Sequence, residues 1–275
     1  MMIKKTAAIC CAAVLLMLCL PIAFADDTVE LPILMYHHIS TVPERWGDYV
    51  VSPETFENDL KYLSEKGYTS ISLQELIAYA DGVGTLPEKP VMITFDDGQR
   101  SFAEYALPLL EKYDMCAVAA IVGKYADDYT ESGDMNVVYA YMGWPELAML
   151  AEDPHVELQS HSYDMHSLDS RRGCAMMAGE NEIDYEKVFS ADMNLLNRRF
   201  EEYIGEEPIA FAYPFGIRSP TGKDLLLSSG CRALFTCDAR VNHISRDPQC
   251  LYELGRFNRP NGANRYQFFL KMGIS

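Results

Sequence analysis

The stretch Val91-Met92-Ile93-Thr94-Phe95-Asp96-Asp97-Gly98 indicates the fold of this 275-residue chain. Its first five residues are β-branched, aromatic or otherwise apolar, a pattern typical of a strand buried in a parallel sheet. Asp96 and Asp97 follow where the strand ends, and Gly98 permits a sharp turn. Enzymes built on parallel strands place their chemistry at the carboxyl ends of those strands, so both carboxylates are candidate catalytic groups. An ordinary polar turn is the alternative, because turns favour Asp and Gly.

A second stretch, Val156-Glu157-Leu158-Gln159-Ser160-His161-Ser162-Tyr163-Asp164-Met165-His166, begins as a short strand and continues into a loop. His161 and His166 are five residues apart, so a helix or a strand would point them in different directions. A loop that leaves a strand end can bring them together. Two imidazoles and one carboxylate form a usual ligand set for a catalytic divalent metal. Two surface histidines in a polar loop are the alternative.

A third stretch, Pro208-Ile209-Ala210-Phe211-Ala212-Tyr213-Pro214-Phe215-Gly216, combines an apolar strand with a Pro-aromatic-Gly turn. Such a turn can direct a backbone N–H into a site, where it stabilises an oxyanion. A plain exit from the strand is equally compatible with these residues.

Together and in this order, the three stretches resemble the motifs of the polysaccharide deacetylases, the family-four carbohydrate esterases. The resemblance extends over roughly residues 32–261 and implies a distorted seven-stranded (β/α) barrel with a parallel sheet. His161 and His166 are separated by one residue more than in the commonest form of the family. This longer spacing is similar to that of the branch that acts on poly-N-acetylglucosamine. Ala212 departs from the common pattern, because many members carry there an arginine that holds the catalytic aspartate.

The resemblance implies a role for each motif residue in a metal-dependent hydrolase. A divalent metal, which we expect to be Zn²⁺, would be bound by Asp97, His161 and His166. Asp96 would act as the general base, and the backbone N–H of Phe215 would share the oxyanion with the metal.

The general acid must come from a different place than in many family members. The stretch Leu254-Gly255-Arg256-Phe257 has no histidine where a C-terminal motif would carry one. In the branch that this chain resembles, the histidine of an N-terminal Tyr-His motif does this work. That motif maps onto Tyr36-His37, so we predict His37 as the acid, with His38 as the alternative.

We also expect three residues within the second and third motifs to contact the substrate, namely Tyr163, Tyr213 and Pro214. The predicted substrate is an N-acetylglucosamine-containing exopolysaccharide or cell-wall glycan, and the predicted reaction is removal of its N-acetyl groups. Two alternatives remain open, an O-acetyl esterase acting on xylan-like polymers and a non-catalytic carbohydrate-binding protein. The sequence does not separate amide from ester substrates, because water activation and oxyanion stabilisation serve both.

The N-terminus has the pattern of a secretory signal peptide over residues 1–25. Lys4 and Lys5 precede a short apolar run, and Ala23-Phe24-Ala25 provides a small-x-small cleavage site. The run is shorter than the about 20 residues that span a bilayer, so we expect cleavage and no stable membrane span afterwards. We therefore expect a secreted protein, extracellular or associated with the cell wall.

Composition and length restrict the partners and the architecture. The formal charge of −17 argues against nucleic acid or anionic membranes as partners. Of eight cysteines, five follow the predicted signal peptide, too few for a disulfide scaffold, although Cys231 and Cys237 are close enough in sequence to pair.

Residues 26–275 fit one catalytic domain. Its alternating strand and helix patterns predict βαβ units with about seven strands, and we expect a monomer. Residues 124–143 are predicted to form an irregular loop at the rim.

Overall fold

The computed structural model describes residues 28–275, so the predicted signal peptide lies outside the described residues. The strands are β1 (Val29–Leu31), β2 (Ile33–Tyr36), β3 (His38–Ile39), β4 (Val50–Val51), β5 (Thr69–Ser70), β6 (Pro90–Phe95), β7 (Ala117–Ile121), β8 (Val156–Ser160), β9 (Ala210–Ala212), β10 (Ala233–Phe235), β11 (Asn242–Ile244) and β12 (Phe257–Asn258). The helices are α1 (Pro53–Glu65), α2 (Leu73–Ala80), α3 (Leu107–Tyr113), α4 (Gly123–Ser132), α5 (Trp144–Leu150), α6 (Glu182–Tyr203), α7 (Pro220–Ser228) and α8 (Arg265–Lys271).

Seven of these strands form one parallel sheet in the order β10-β9-β8-β7-β6-β2-β12, and β5 pairs with the start of β6. A parallel bridge joins Phe235, in the edge strand β10, to Leu254, which lies just before the other edge strand, β12. The two edges of the sheet therefore lie close together, and the sheet curls towards closure. This arrangement confirms the predicted α/β fold with a distorted seven-stranded parallel barrel.

The strand predicted from Val91–Phe95 lies in the interior of the sheet. All six residues of β6 are buried, and β2 and β7 pair with its two sides. Helices α1 and α2 begin as their sequences predict, with Ser52 and Ser72 as N-caps, and Ser72 forms a capping box with Glu75. Because the strands of this sheet are all parallel, their carboxyl ends lie at one rim, where Asp96 and Asp97 follow β6.

The prediction of an irregular loop over residues 124–143 is wrong in its first half, because helix α4 occupies Gly123–Ser132. Only Gly123 and Ala126 are buried in this helix, so the sequence lacks the apolar stripe by which amphipathic helices are recognised. Tyr125 and Tyr129 are four positions apart and lie on the same face of α4.

The five cysteines of residues 28–275 are all free, and Cys231 and Cys237 do not form the bridge that their spacing allows. Within the same residues, no helix combines the length and the apolar character needed to cross a membrane.

Candidate active site

Three loops at the rim pass through backbone conformations that non-glycine residues rarely adopt. Asp97 after β6, Ser162 after β8 and Phe215 after β9 have φ angles of 75°, 68° and 58°. Only one other non-glycine residue of the described chain has a positive φ. Left-handed residues of this kind turn the chain sharply as it leaves a strand, and they cluster at functional sites. The sheet thus directs three motifs towards one place.

The second aspartate of the first motif and the two histidines of the second converge there. Asp97 Oδ1 lies 3.1 Å from His166 Nε2 and 3.5 Å from His161 Nε2. These ligand atoms all lie within 4.8 Å of one another, close enough to bind one metal ion. One carboxylate oxygen and two imidazole nitrogens match the donor set of catalytic zinc sites with an open position.

The hydrogen bonds of the two rings leave their Nε2 atoms available for a cation. His161 Nδ1 lies 2.8 Å from the carbonyl oxygen of Ala212, which can only accept, so Nδ1 carries the proton and Nε2 has a free lone pair. His166 Nδ1 lies 3.3 Å from the hydroxyl of Tyr125. Asp97 Oδ1 is buried and has no hydrogen-bond donor among the described residues. A divalent cation fits this cluster, because it would satisfy all three atoms at once.

The pKa of His161 suits a metal ligand, whereas the Asp97 carboxylate raises the pKa of His166 against the effect of burial. Burial lowers the pKa of His161, so the ring is neutral at neutral pH, as a ligand must be. Burial alone would raise the pKa of Asp97, but the close approach of the His166 imidazole and the influence of the nearby rings of His37 and His161 overcome that effect and lower it.

Asp96 has a different partner from its neighbour. Its Oδ1 and Oδ2 accept hydrogen bonds of 2.6 and 2.8 Å from Nη1 and Nη2 of Arg256, and both side chains are buried. Burial would raise the pKa of Asp96, but the charge of Arg256, with a smaller contribution from His161, holds it well below its usual range. Asp96 is therefore ionised across the neutral pH range.

Sequence analysis missed Arg256. The absence of an arginine at Ala212 left Asp96 without a cationic partner, and the structure supplies one from the residue before β12. Arg256 Nε also donates to the carbonyl oxygen of Thr236, at 3.0 Å. The available signal was a single arginine in the otherwise uncharged stretch Leu254-Gly255-Arg256-Phe257, since a charged residue that becomes buried needs a partner.

His37 lies between β2 and β3, and its ring packs edge-on against Tyr49 with 4.9 Å between centroids. A positive charge on His37 lowers the pKa of both Asp96 and Asp97. Its Nδ1 is buried and has no hydrogen-bond partner in the described part of the chain. The Nδ1 of the neighbouring His38 lies 2.8 Å from the Ser101 hydroxyl, and its Nε2 is likewise buried without a hydrogen-bond partner among the described residues.

A buried polar cluster holds the backbone before His37 in place. Tyr36 donates a hydrogen bond to Asp59 at 3.0 Å, and Arg259 binds the same carboxylate at 2.7 and 3.2 Å. The backbone amide of Arg259 donates to Met35. Because a buried polar network of this kind is costly to break, it fixes the end of β2 and the start of the turn to His37.

The turn at Pro214–Gly216 places its aromatic residue at the mouth of the site. The side chain of Phe215 is 40% exposed, and its ring lies 4.5 Å from that of His166. The amides of Gly216 and Ile217 make the hydrogen bonds of the turn, and the Phe215 amide takes no part in those two bonds.

The three predicted substrate contacts lie in different environments. Tyr213 is fully buried beside Phe211, and Pro214 is also buried, so a substrate would meet the backbone of these two residues and not their side chains. The loop after β8, residues 161–166, carries the two candidate histidine ligands and is named the metal-binding loop. Tyr163 donates a hydrogen bond to Asp127 at 2.6 Å, which ties this loop to α4.

Helix α6 also supports the metal-binding loop. Both carboxylate oxygens of Asp192 accept backbone hydrogen bonds from that loop, from Tyr163 at 2.8 Å and from Asp164 at 2.7 Å. Burial raises the pKa of Asp192 to about 6, even though the two amides act in the opposite direction. The geometry of the loop therefore depends on a half-buried acid that is not one of the three candidate ligands.

Known proteins resemble this chain in sequence. The sequence profile of the family described as polysaccharide deacetylase matches residues 83–234. The poly-β-1,6-N-acetyl-D-glucosamine N-deacetylase of Escherichia coli K12 is 33% identical over an alignment of 215 residues, and the match covers 71% of this chain and 32% of that protein. The enzyme of the same name from Staphylococcus aureus MRSA252 is 24% identical over 195 residues, 70% of this chain and 63% of that protein. The chain thus spans about a third of the length of the E. coli relative.

Solved structures share the fold. IcaB from Ammonifex degensii has a TM-score of 0.72 and 24% identity, over 88% of this chain and 97% of that one. The deacetylase PplD of Streptococcus pyogenes, solved with acetate, has a TM-score of 0.70 and 21% identity, over 90% and 99% of the two chains. At these identities the likeness shows a common architecture.

Proposed function

Because the chain belongs to the polysaccharide deacetylase family, whose profile matches more than half of its length, we propose that it is a metal-dependent N-deacetylase of an N-acetylglucosamine polysaccharide. The observation that carries this proposal is the division of labour between adjacent carboxylates. Asp97 faces two imidazoles, while Asp96 is held by a guanidinium. A binding protein has no need of a second, separately held carboxylate beside the cation site.

The cation site would be formed by Asp97, His161 and His166, and we propose Zn²⁺ as its occupant. When bound, such an ion makes water acidic enough to be a nucleophile at neutral pH and polarises the substrate carbonyl.

The residues of the chain would provide the remaining steps of the hydrolysis. Asp96 takes the proton of the attacking water, whose oxygen forms a bond to the acetamide carbon. The backbone N–H of Phe215 donates a hydrogen bond to the developing oxyanion. The bond from that carbon to the sugar nitrogen then breaks, acetate leaves, and His37 protonates the departing amine. An amide anion is a very poor leaving group, so the reaction needs this acid.

The substrate assignment is supported by the relatives in E. coli and S. aureus, whose names give poly-β-1,6-N-acetyl-D-glucosamine as their polymer. We propose the same class of polymer here, and a site of action outside the cell, in agreement with the signal pattern of residues 1–25.

Acetate release tests this function. The protein is stripped of metal, reloaded with Zn²⁺, and incubated with β-1,6-linked N-acetylglucosamine oligomers and with acetylated xylan. We expect release from the oligomers by the zinc-loaded protein only, and none from the His166→Ala variant. Release from xylan alone would assign an O-acetyl esterase. Binding of the oligomers without acetate release would assign a non-catalytic carbohydrate-binding protein.

A further inference from the structure

Three tyrosines form a continuous row that starts at the candidate metal centre. Measured between ring centroids, Tyr125 lies 5.8 Å from His166 and 4.3 Å from Tyr141. The centroid of Tyr141 lies 5.5 Å from that of Tyr129. Tyr141 is attached to the first motif, because it forms an antiparallel bridge with Gln99, two residues after Asp97. All three rings are partly exposed, so the row is accessible from solvent.

The row ends in a cavity of about 420 Å³ that the proposed reaction does not use. Tyr129, Tyr141, Met135 and Met149 form much of its lining, and the two methionines are 63% and 79% exposed. This volume is within the range of small-ligand sites. Exposed apolar side chains gathered beside a reaction centre indicate a binding surface.

One wall of the cavity is polar. Arg100 and Glu146 form an ion pair of 2.6 Å there, with side chains 16% and 24% exposed. A guanidinium has five N–H donors, and Glu146 accepts through one carboxylate oxygen, so the pair offers further donors and acceptors to a ligand. The cavity therefore presents aromatic and thioether surface on one side and a fixed set of polar groups on the other.

A sugar residue matches this combination. One face of a pyranose is made of C–H groups that stack on aromatic rings, and its hydroxyls form hydrogen bonds at the edge. The methyl of an N-acetyl group would add apolar contact with Met135 and Met149.

We propose that this cavity is a remote subsite that binds a second N-acetylhexosamine residue of the polymer whose acetyl group is removed at the metal centre. The inference rests on the proposed function. The continuity of the tyrosine row from His166 identifies the occupant as the same glycan chain. The ring of Tyr125 lies between His166 and the two tyrosines that line the cavity, so we place at least one sugar between the residue in the cavity and the reacting one.

Dependence on chain length tests the subsite. Deacetylation of β-1,6-linked N-acetylglucosamine dimers and hexamers is measured with the zinc-loaded wild type, Tyr129→Ala and Met149→Ala. In both variants we expect the KM for the hexamer to rise about tenfold, the scale of one lost stacking contact. The KM for the dimer and kcat for both substrates should stay within twofold of the wild type.

Two matched variants separate the subsite from effects on folding. Tyr129→Phe keeps the ring and should bind the hexamer like the wild type, and Tyr266→Ala removes a tyrosine of α8 that is 53% exposed. Equal changes for dimer and hexamer, or no change for the hexamer, would overturn the proposal. If the wild type releases no acetate, the deacetylase function fails, and calorimetric binding of the hexamer decides the subsite. Weaker binding by Tyr129→Ala would then support it, and unchanged or absent binding would reject it.

Discussion

Asp96 and Asp97 show how strongly a side chain's chemistry depends on its partners. The two residues are identical and adjacent, but Asp96 lies in a fork of hydrogen bonds from Arg256 and Asp97 lies between two imidazoles. The bidentate pair keeps Asp96 charged and fixes its direction, while Asp97 keeps a buried oxygen without a hydrogen bond. Environment therefore divides one residue type into a proposed base and a candidate ligand.

The first prediction concerns Arg256. Arg256→Met leaves the Asp96 charge buried without its partner, which costs about 3–5 kcal/mol of unfolding free energy. It should also lower kcat by about 10²-fold or more, the scale of losing a general base, because the buried Asp96 would already carry a proton before the reaction and would no longer be held in position by two hydrogen bonds. Arg256→Lys keeps the positive charge but not the pair of parallel hydrogen bonds. It should therefore lose less unfolding free energy and less kcat than Arg256→Met. Urea unfolding, steady-state kinetics and metal analysis measure the outcome. Wild-type turnover in the methionine variant would show that Asp96 works without its arginine.

The second prediction concerns His37. An amine must be protonated as it leaves, whereas a good phenol leaving group needs little acid help. His37→Ala should therefore lose far more activity on N-acetyl sugars than on phenyl acetates.

His38→Ala is the matched control for His37. His38 contacts Ser101, and its ring is buried, so its loss should reduce stability and affect both substrates alike. Equal losses on the two substrates in His37→Ala, or a larger selective loss in His38→Ala, would show that another group is the acid.

At the scale of elements, helix α6 connects the metal-binding loop to the rest of the fold. Asp192 accepts two backbone hydrogen bonds from that loop, and its pKa of about 6 is above the usual 3.8. Between these values the folded state holds a proton that the unfolded state releases. The stability contributed by Asp192 is thus present at low pH and lost as the pH rises through about 6.

The third prediction follows from that linkage. In metal-free protein between pH 4.5 and 7.5, the unfolding free energy of the wild type minus that of Asp192→Asn should fall by about 1–3 kcal/mol as the pH rises. Urea titrations at each pH measure this difference, from which the other titrating groups cancel. Asp169→Asn, at an exposed carboxylate of the following loop, controls for removal of one negative charge. A difference that does not change with pH would show that Asp192 does not titrate between pH 4.5 and 7.5 in the folded protein.

The sequence predicts the elements where its local pattern is strong. The seven strands of the barrel follow from short apolar runs such as Val91–Phe95, and α1 and α2 follow from their caps. Helix α4 could not be predicted in this way, because only two of its ten residues are buried. Arg256 could not be paired with Asp96 because the two are 160 residues apart, and only the curled sheet brings them together. Local patterns therefore predict the strand ends and the candidate ligands that follow them. The pairing of Arg256 with Asp96 depends on contacts between distant parts of the chain.

At the scale of the whole molecule, a bound cation would link the loop after β6 to the loop after β8 and should stabilise the folded protein. A ligand that binds only the folded state raises its stability by RT ln(1 + [L]/Kd), about 2.7 kcal/mol at a hundredfold excess over Kd.

The fourth prediction is that Zn²⁺ raises the unfolding temperature of the metal-free protein. His161→Ala and His166→Ala should lose this shift together with the bound metal. Asp164→Ala is the matched control, because this exposed carboxylate lies between the two histidines in sequence and outside the ligand cluster. Thermal unfolding and elemental analysis measure both quantities. Full metal content in His166→Ala would remove that residue from the ligand set.

The closure of the sheet at β12 also has a consequence for biosynthesis. The three candidate ligands leave the ribosome in the order 97, 161 and 166, and Arg256 follows ninety residues after the last of them. A nascent chain therefore carries every candidate metal ligand well before it carries the arginine that binds Asp96. Premature termination or proteolytic clipping between these points would yield a fragment that has the candidate ligands but lacks the partner of the proposed base. The proposed hydrolytic site is thus completed late in synthesis.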